Sequence, residues 1–577
     1  MKFYNPYQFI PFKAPDEKSL TPYADIKDGK ISFIRHDRWD KDAYSGRIIC
    51  KLTTISPLVV GEKQDKGVKE DKKKGIIGKA GVVHPYRDGQ NIPANSLRGM
   101  LASIAEMISH SSMRVLSDEN THTYSVRKIM QNSLKTIGRR PVGNLYHSIA
   151  DIDKNLLPWD GDRGKSEGSL TPAEALFGVV EDHPKEVARN LGSRLRFYDA
   201  TAEKQITLEH KHELLKILAS PQPPSPSMYF HTKEGGYIAK SDLDLGNKNH
   251  IPNGRKRYLA HPDWQKKINN KNKWETQHDS AKSIHQKLKC QPIPANACFW
   301  FHIDFENLSK DELNLLRTAI NPGENFQHQL GLGKPLGLGQ ITVKETALFL
   351  IDRKTRYSQS GLFHQHYSEW SGEGGIPNPI YPKEAEFSKT PPITAVDMEC
   401  KYTDPETIEQ LNQLGHLESY EKDDKGHYLS VCYPFTESDK HKESESYKHK
   451  ETEGYEWFCD NDKDKCQYLR EILPGRQLPP LDSDTNEPDI SPPASMNQQT
   501  LKIGGIPPKN KRDFNDKDVQ EAVQTQLSIL QPQRVNLEKG LLVVEISPDK
   551  LQTLFNQNDP IPFTVKQHEM TLRQQPS

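Results

Sequence analysis

Residues 297–320 read ACFWFHIDFENLSKDELNLLRTAI. Phe299, Phe301, Ile303 and Phe305 alternate with Trp300, His302, Asp304 and Glu306, the period of a strand with one face in a core. Ser309-Lys-Asp-Glu312 then forms a capping box, in which a hydroxyl and a carboxylate each satisfy a backbone N–H at a helix start. Leu313, Leu316 and Ile320 mark one face of the helix that follows. Downstream, the glycine-rich LGLGKPLGLG (330–339) leads into a returning strand, ITVKETALFL.

The same order of elements occurs upstream. GRIICKLTTISPLVVG (46–61) alternates Ile48, Cys50 and Leu52 against Lys51 and Thr53 and predicts a strand. The lysine- and glycine-rich run 63–90 has no usable period and reads as loop. In NIPANSLRGMLASIAEMIS, Asn95 or Ser96 can cap a helix whose face is Leu97, Met100, Leu101, Ile104 and Ile108. Thr171-Pro-Ala-Glu174 is a second capping box with proline at the first helical position, and LRFYDA (195–200) reads as a strand. Strand, helix, strand, a long insertion, then strand, helix, strand give an α+β class with a ferredoxin-like (RRM-like) βαββαβ core. The expected organisation is a segment 1–45, a core 46–350 that includes an insertion 201–296, a charged insertion or accessory domain 351–475, a proline-rich linker 476–510 and a small αβ segment 511–577. In the last of these, a helix over Val519–Leu530, a strand GLLVVEIS and a short helix from Ser547-Pro548 are expected.

The glycine-rich loop fits neither common phosphate-binding motif. A triphosphate loop needs glycine where His328 stands and a hydroxyl residue where Pro335 stands. A dinucleotide fingerprint needs glycine at Leu336 and a helix after it. The chain as a whole is neutral, with 78 basic and 78 acidic residues, so attraction to a polyanion has to be local. Between Lys233 and Lys289, thirteen Lys/Arg face six acids, with Tyr237, Tyr258, Trp264 and Trp274 interleaved. That mixture suits a single-stranded nucleic acid, because cations meet phosphates and rings stack on bases; it also suits a solvated insertion. Mean hydropathy is −0.79, and neither a membrane-spanning run nor a signal-peptide core is present. Seven scattered cysteines argue against a disulfide framework, and we expect a cytoplasmic protein with no membrane partner.

Three stretches resemble one family. IPANSLRGMLASIAE (92–106), LTPAEALFG (170–178) followed by LRFYDA, and LGLGKPLGLGQI (330–341) are similar to motifs of the RAMP superfamily, CRISPR-associated RNA-binding proteins. The resemblance is nearest to Cas-seven-type backbone subunits of type III effector complexes, especially III-D-like members with a large insertion. It implies a subunit that binds guide RNA (crRNA), contacts target RNA and assembles with other Cas subunits in antiviral defence. It also implies that Asn95, Ser96 and Arg98 at the helix start, and Gly331, Gly333, Lys334, Gly337 and Gly339 in the loop, line the guide-RNA groove, the glycines packing closely against the first helix. The insertion stands where such proteins carry a thumb, so Arg255, Lys256, Arg257 and Tyr258 become candidate contacts to backbone and displaced bases.

Target-cleaving relatives carry an aspartate where this chain has Gly81, within Ile77-Gly78-Lys79-Ala80-Gly81-Val82-Val83. Glycine neither takes a proton nor binds a metal, so no catalytic residue is expected. Asp71 and Asp88 are the fallback acids, with Asp65 and His84 in the same loop, for a metal-dependent endoribonuclease acting on target RNA or on precursor crRNA. No cofactor is expected, and Mg2+ only if the complex cleaves RNA. Asp460, Asp462, Asp464 and Glu471 match a calcium-loop spacing, but Lys465 replaces its turn glycine; Cys459 and Cys466 are spaced too widely for paired zinc ligands.

Overall fold

In the computed structural model the alternating run at 298–308 is an eleven-residue strand, and its apolar side chains meet those of two helices. The structure describes residues 3–113 (without 12, 31–33, 35 and 72), 156, 169–180, 190–218, 230–231, 251–276 (without 269), 284–351, 353, 357, 369–372, 399–433 and 472–473, and strands within 499–572. Two units are present, Met1–Asp482 and Ser483–Ser577. The expected helix Val519–Leu530, the short helix from Ser547 and the acidic and cysteine positions 459–471 lie outside the described residues.

In the first unit, β1 is Tyr7–Ile10 and β2 is Tyr44–Thr54. β3 (Gly61–Asp65) and β4 (Gly81–Pro85) precede helix α1, Ala94–Ile108. The short helix α2 (Pro172–Phe177) is followed by β5 (Leu195–Phe197) and β6 (Ala200–Ala202). The insertion supplies β7 (Arg255–Tyr258) and β8 (Leu288–Cys290). Then come β9 (Cys298–Leu308), α3 (Lys310–Ile320), β10 (Gln340–Leu350) and α4 (Pro405–Gly415).

β2 lies in the middle of the main sheet, antiparallel to β9 on one side and to β10 on the other, while β5 and β6 both pair with β9. Ile48, Cys50 and Leu52 of β2 register with Ile303, Phe301 and Phe299 of β9, and all six are buried in one core with Leu97, Leu101 and Ile104 of α1 and Leu313 and Leu316 of α3. In β10 a bulge between Glu345 and Ala347 shifts the alternation, so that Ile341 and Val343, then Leu348 and Leu350, reach this core. Leu411 and Leu414 of α4 belong to the same core, which therefore continues past residue 350.

Buried charge ties these layers. Arg194 donates to both oxygens of Glu312, to the carbonyl of Asn307 at the end of β9 and to that of Ala175 in α2; the pair is only 1% and 2% exposed. Both capping boxes form, Thr171 with Glu174 and Ser309 with Glu312, so Glu312 serves its helix cap and the ion pair together.

Three expectations need correction. Neither Asn95 nor Ser96 caps the first helix: Pro93 holds the cap position without a side-chain bond, and the amide of Ala94 donates instead to Asp199 Oδ1 at 2.9 Å. Asp199 reaches it because LRFYDA is not one strand but two, broken at Tyr198–Asp199. The run 63–90 is not simply loop, since β3 and β4 pair as a hairpin and β4 continues in parallel onto β8. Its outward side chains mix lysines with Val68, Ile76 and Ile77, so no period betrays the strands, and the backbone pairing with the insertion holds them.

The N-terminal strand β1 pairs with β7 of the insertion, and Lys13 bonds Asp404 and Glu406 at 2.7 Å each, so the first residues bridge two remote parts of the chain. In the second unit, Gln499–Lys502, Leu541–Ile546 and Arg534–Glu538 form a three-stranded antiparallel sheet, and Ile561–Val565 pairs with His568–Leu572.

Removing one partner of the Arg194–Glu312 pair leaves a buried charge uncompensated, so Glu312→Ala is expected to destabilise the first unit by about 3–5 kcal/mol. The double variant Arg194→Met/Glu312→Leu should cost clearly less. Urea unfolding followed by tryptophan fluorescence checks this; a double variant that loses as much as the two single variants together would show the residues to be uncoupled.

Candidate nucleic-acid interface

The glycine-rich loop is built from alternate leucines that anchor and glycines that turn. Leu332, Leu336 and Leu338 pack with Val59, Val83, Leu215, Trp274 and Cys290 in a small second core between hairpin, loop and insertion. Gly331 and Gly339 take left-handed φ of 76° and 74°, and a Cβ at either would lie 2.3 Å from the Val59 carbonyl oxygen or 1.9 Å from that of Leu330. Leu332 donates to the Val59 carbonyl at 2.9 Å and Gly339 to that of Pro57 at 2.8 Å. The loop is therefore seated on the segment leaving β2, which corrects the expectation that its glycines pack against the first helix. Gly333 and Gly337, also left-handed, bracket a single 3-10 turn, Lys334–Leu336.

Beneath this turn lies a set of basic and aromatic side chains. The ring of His261 would be 3.0 Å from a Cβ at Gly337. Arg257 is 8% exposed, stands over the Phe326 ring at 5.2 Å, and donates to the carbonyl of Gln327 at 3.0 Å, while its Nε has no acceptor among the described residues. Phe326 in turn meets His328 edge-on at 4.8 Å. Burial lowers Arg257 to about 10. Lys334, half-buried, is lowered by burial and by the charge of Arg257. His261 and His328 are pushed down to about 3, chiefly by burial, so both are neutral near pH 7. The strand alternation of β7 explains why Arg257 points inward: Arg255 and Arg257 are buried and Lys256 and Tyr258 half-buried.

The other sequence candidates scatter. Arg255 is engaged internally, donating to the carbonyl of Ser111 and lying 3.8 Å from Glu106. Lys256 sits 3.8 Å over the ring of Tyr7, and Tyr258 meets that ring edge-on at 6.1 Å, so β7 is zipped to the N-terminal strand. Trp274, only 2% exposed, is a core residue of the loop's seat. Arg98 donates to the carbonyl of Phe177. Asn95 is exposed and Ser96 half-buried, and a Cβ at Gly99 would meet nothing within 4 Å, so the first turns of α1 present an open polar surface.

At Gly81 there is no room for an acid: the glycine is buried in β4, and a Cβ would lie 2.6 Å from the carbonyl oxygen of Asp65. Asp71 closes the hairpin tip, accepting from the amide of Lys73 at 3.1 Å, and Asp88 stands in a left-handed turn with φ 53°. His84 bonds Asp65 at 2.7 Å on the exposed hairpin. Among the described residues no three His, Cys, Asp or Glu side chains group as metal ligands, and no helix is long and apolar enough to cross a membrane.

The hairpin itself went unread in the sequence. Lys63, Lys66, Lys69, Lys73, Lys74 and Lys79 are all exposed on it, as are Val68, Ile76 and Ile77, the last 76% exposed. It springs from the segment 57–60 on which the glycine loop rests. The signal available was the density of lysines beside apolar residues with no helical or strand period to bury them.

The sequence profile of the RAMP superfamily matches residues 51–342, from β2 through the glycine loop to the start of β10. No curated protein matches the chain. Among solved structures, a chain of a "Type IV-B CRISPR Complex" is similar at 14% identity, over 58% of this chain and 95% of that one, with a TM-score of 0.20. Thermofilum pendens Csc2 is similar at 10% identity, over 65% of this chain and 88% of that one, with a TM-score of 0.25.

The seat of the loop predicts opposite outcomes at two glycines. Gly339→Ala should lower stability by more than about 1 kcal/mol, because φ is positive and a carbonyl blocks the Cβ. Gly99→Ala, in an open helical position, should raise it by up to about 1 kcal/mol. Thermal unfolding of the two variants checks the sign at each place.

Proposed function

The chain belongs to the RAMP superfamily, and from that membership we propose that it is a guide-RNA-binding backbone subunit of a type III, III-D-like CRISPR ribonucleoprotein. In this reading it holds one stretch of the crRNA–target RNA duplex beside other Cas subunits, needs no cofactor and works in the cytoplasm. Its core is ferredoxin-like: counting β2, β5/β6, β9 and β10 as strands one to four, the sheet order 4-1-3-2 supports that assignment.

The observation that carries the RNA reading is the convergence of cationic surface on one segment. The exposed lysines of the hairpin and the loop bearing Lys334 both rest on residues 57–60, although the whole chain is neutral. Local excess of cations without global charge favours an extended polyanion lying across that ground. The open first turns of α1, with Asn95 and Ser96, add a polar surface, while the Ala94 amide is already met by Asp199. The endoribonuclease alternative gains no support from Gly81, and Asp71 and Asp88 remain its fallback acids. Mg2+ enters only if the assembled complex cleaves.

Replacing Lys66, Lys69, Lys73 and Lys74 by glutamine should weaken binding of a single-stranded RNA and flatten the plot of log affinity against log salt, by about 0.7 for each phosphate that the protein no longer neutralises. An unchanged slope would remove the hairpin from the interface. The subunit reading itself is tested by purifying the assembly that contains this chain from its source cells: a retained small RNA of defined length is expected, and its absence overturns the assignment.

A further inference from the structure

We infer that Arg257, Lys334 and His328 form a recessed phosphate-binding subsite under the glycine loop, with Arg257 of the insertion as its deepest cation. The inference rests on the RNA reading only for the identity of its natural occupant, not for the site itself.

Charge accounting leads to it. Three arginines among the described residues are buried to below a tenth exposure: Arg194, Arg255 and Arg257. Arg194 pairs with Glu312, and Arg255 has Glu106 at 3.8 Å. Among the described residues Arg257 has no carboxylate, and the groups that act on its charge or respond to it are Tyr420, His328 and Lys334. Burying one cation is unfavourable and burying a second beside it more so, unless an anion joins them.

Geometry names the atoms that would meet that anion. The guanidinium is held by the Gln327 carbonyl and the Phe326 ring, and its buried Nε has no acceptor among the described residues. Nε2 of His328 lies 2.8 Å from the carbonyl of Ile320 and donates to it, and Nδ1 has no partner among the described residues. Lys334 is less buried than Arg257 and marks the side of entry. An arginine fork with a lysine beside it suits a tetrahedral oxyanion carrying one or two charges. That chemistry is shared by a phosphodiester of a nucleic acid and by free phosphate.

The test compares thermal unfolding of the full-length protein in inorganic phosphate and in chloride at equal ionic strength. Phosphate is expected to raise the midpoint of the wild type, and Arg257→Gln and Lys334→Gln to lose most of that rise, with at least a tenfold weaker phosphate titration; Arg257→Lys keeps part of it. In chloride, Arg257→Gln should be as stable as the wild type or more so, because an unpaired buried charge has gone. The inference is overturned by a phosphate rise that both variants retain, by no rise in the wild type, or by Arg257→Gln unfolding earlier by the same amount in both salts. A short single-stranded RNA separates the two sources. Tenfold weaker RNA binding by Arg257→Gln, with phosphate as competitor, assigns the site to a phosphodiester. Loss of phosphate binding with RNA binding intact or absent upholds the subsite for free phosphate and removes it from the RNA path.

Discussion

The seat of the glycine loop on the carbonyls of Pro57 and Val59 organises everything around the candidate interface. Four left-handed glycines let ten residues fold back until Leu330 and Gly339 bond each other, and any side chain at 331 or 339 would strike a backbone oxygen. With the glycines turning, the leucines face inward and join the hairpin, the insertion and the exit of β2 in one small core. The remaining polar residue, Lys334, is thereby held half-buried, where the charge of Arg257 acts on it. An arrangement that looks like phosphate-cradling backbone is first of all a packing device, and its relation to anions comes from the cations it positions.

Charge inside the first unit is handled in two ways. Arg194 with Glu312, Arg255 with Glu106 and Asp199 with the start of α1 each satisfy themselves within the chain. Each joins segments far apart in sequence, so their contribution is to hold layers in register as well as to stabilise. Around Arg257 the pattern breaks, because among the described residues this cation, Lys334 and the neutral His328 act on one another with no carboxylate among them. The contrast between these neighbourhoods in one fold is what separates a structural arginine from one kept for an external anion.

Much of the fold was legible because its elements carry local signals. Alternation in 299–305, the helix face from Leu97 to Ile108 and both capping boxes all reappear in the structure. The candidate site was legible only by residue type. Arg255, Lys256, Arg257 and Tyr258 were adjacent in sequence, yet strand geometry sends Arg255 to a carboxylate, Lys256 and Tyr258 to an aromatic neighbour, and Arg257 alone to the loop. The hairpin 61–85 could not be read, since its outward residues, polar and apolar, have no period and its pairing partner, β8, lies some two hundred residues later.

The amino-acid sequence by itself determined the strands and helices β2, α1, β9, α3 and β10, the two capping boxes and the need for glycine where the chain turns between Leu330 and Gln340. These are properties of a few neighbouring residues, set by side-chain period, backbone freedom and local hydrogen bonds. Tertiary structure alone decided that Asp199 caps α1, that Gly81 has no space for an acid, that the N-terminal strand zips the insertion and that the charge of Arg257 acts on Lys334. Each of those depends on which distant segment arrives alongside, and burial then converts an ordinary residue into a cap, an excluded position or an unpaired charge.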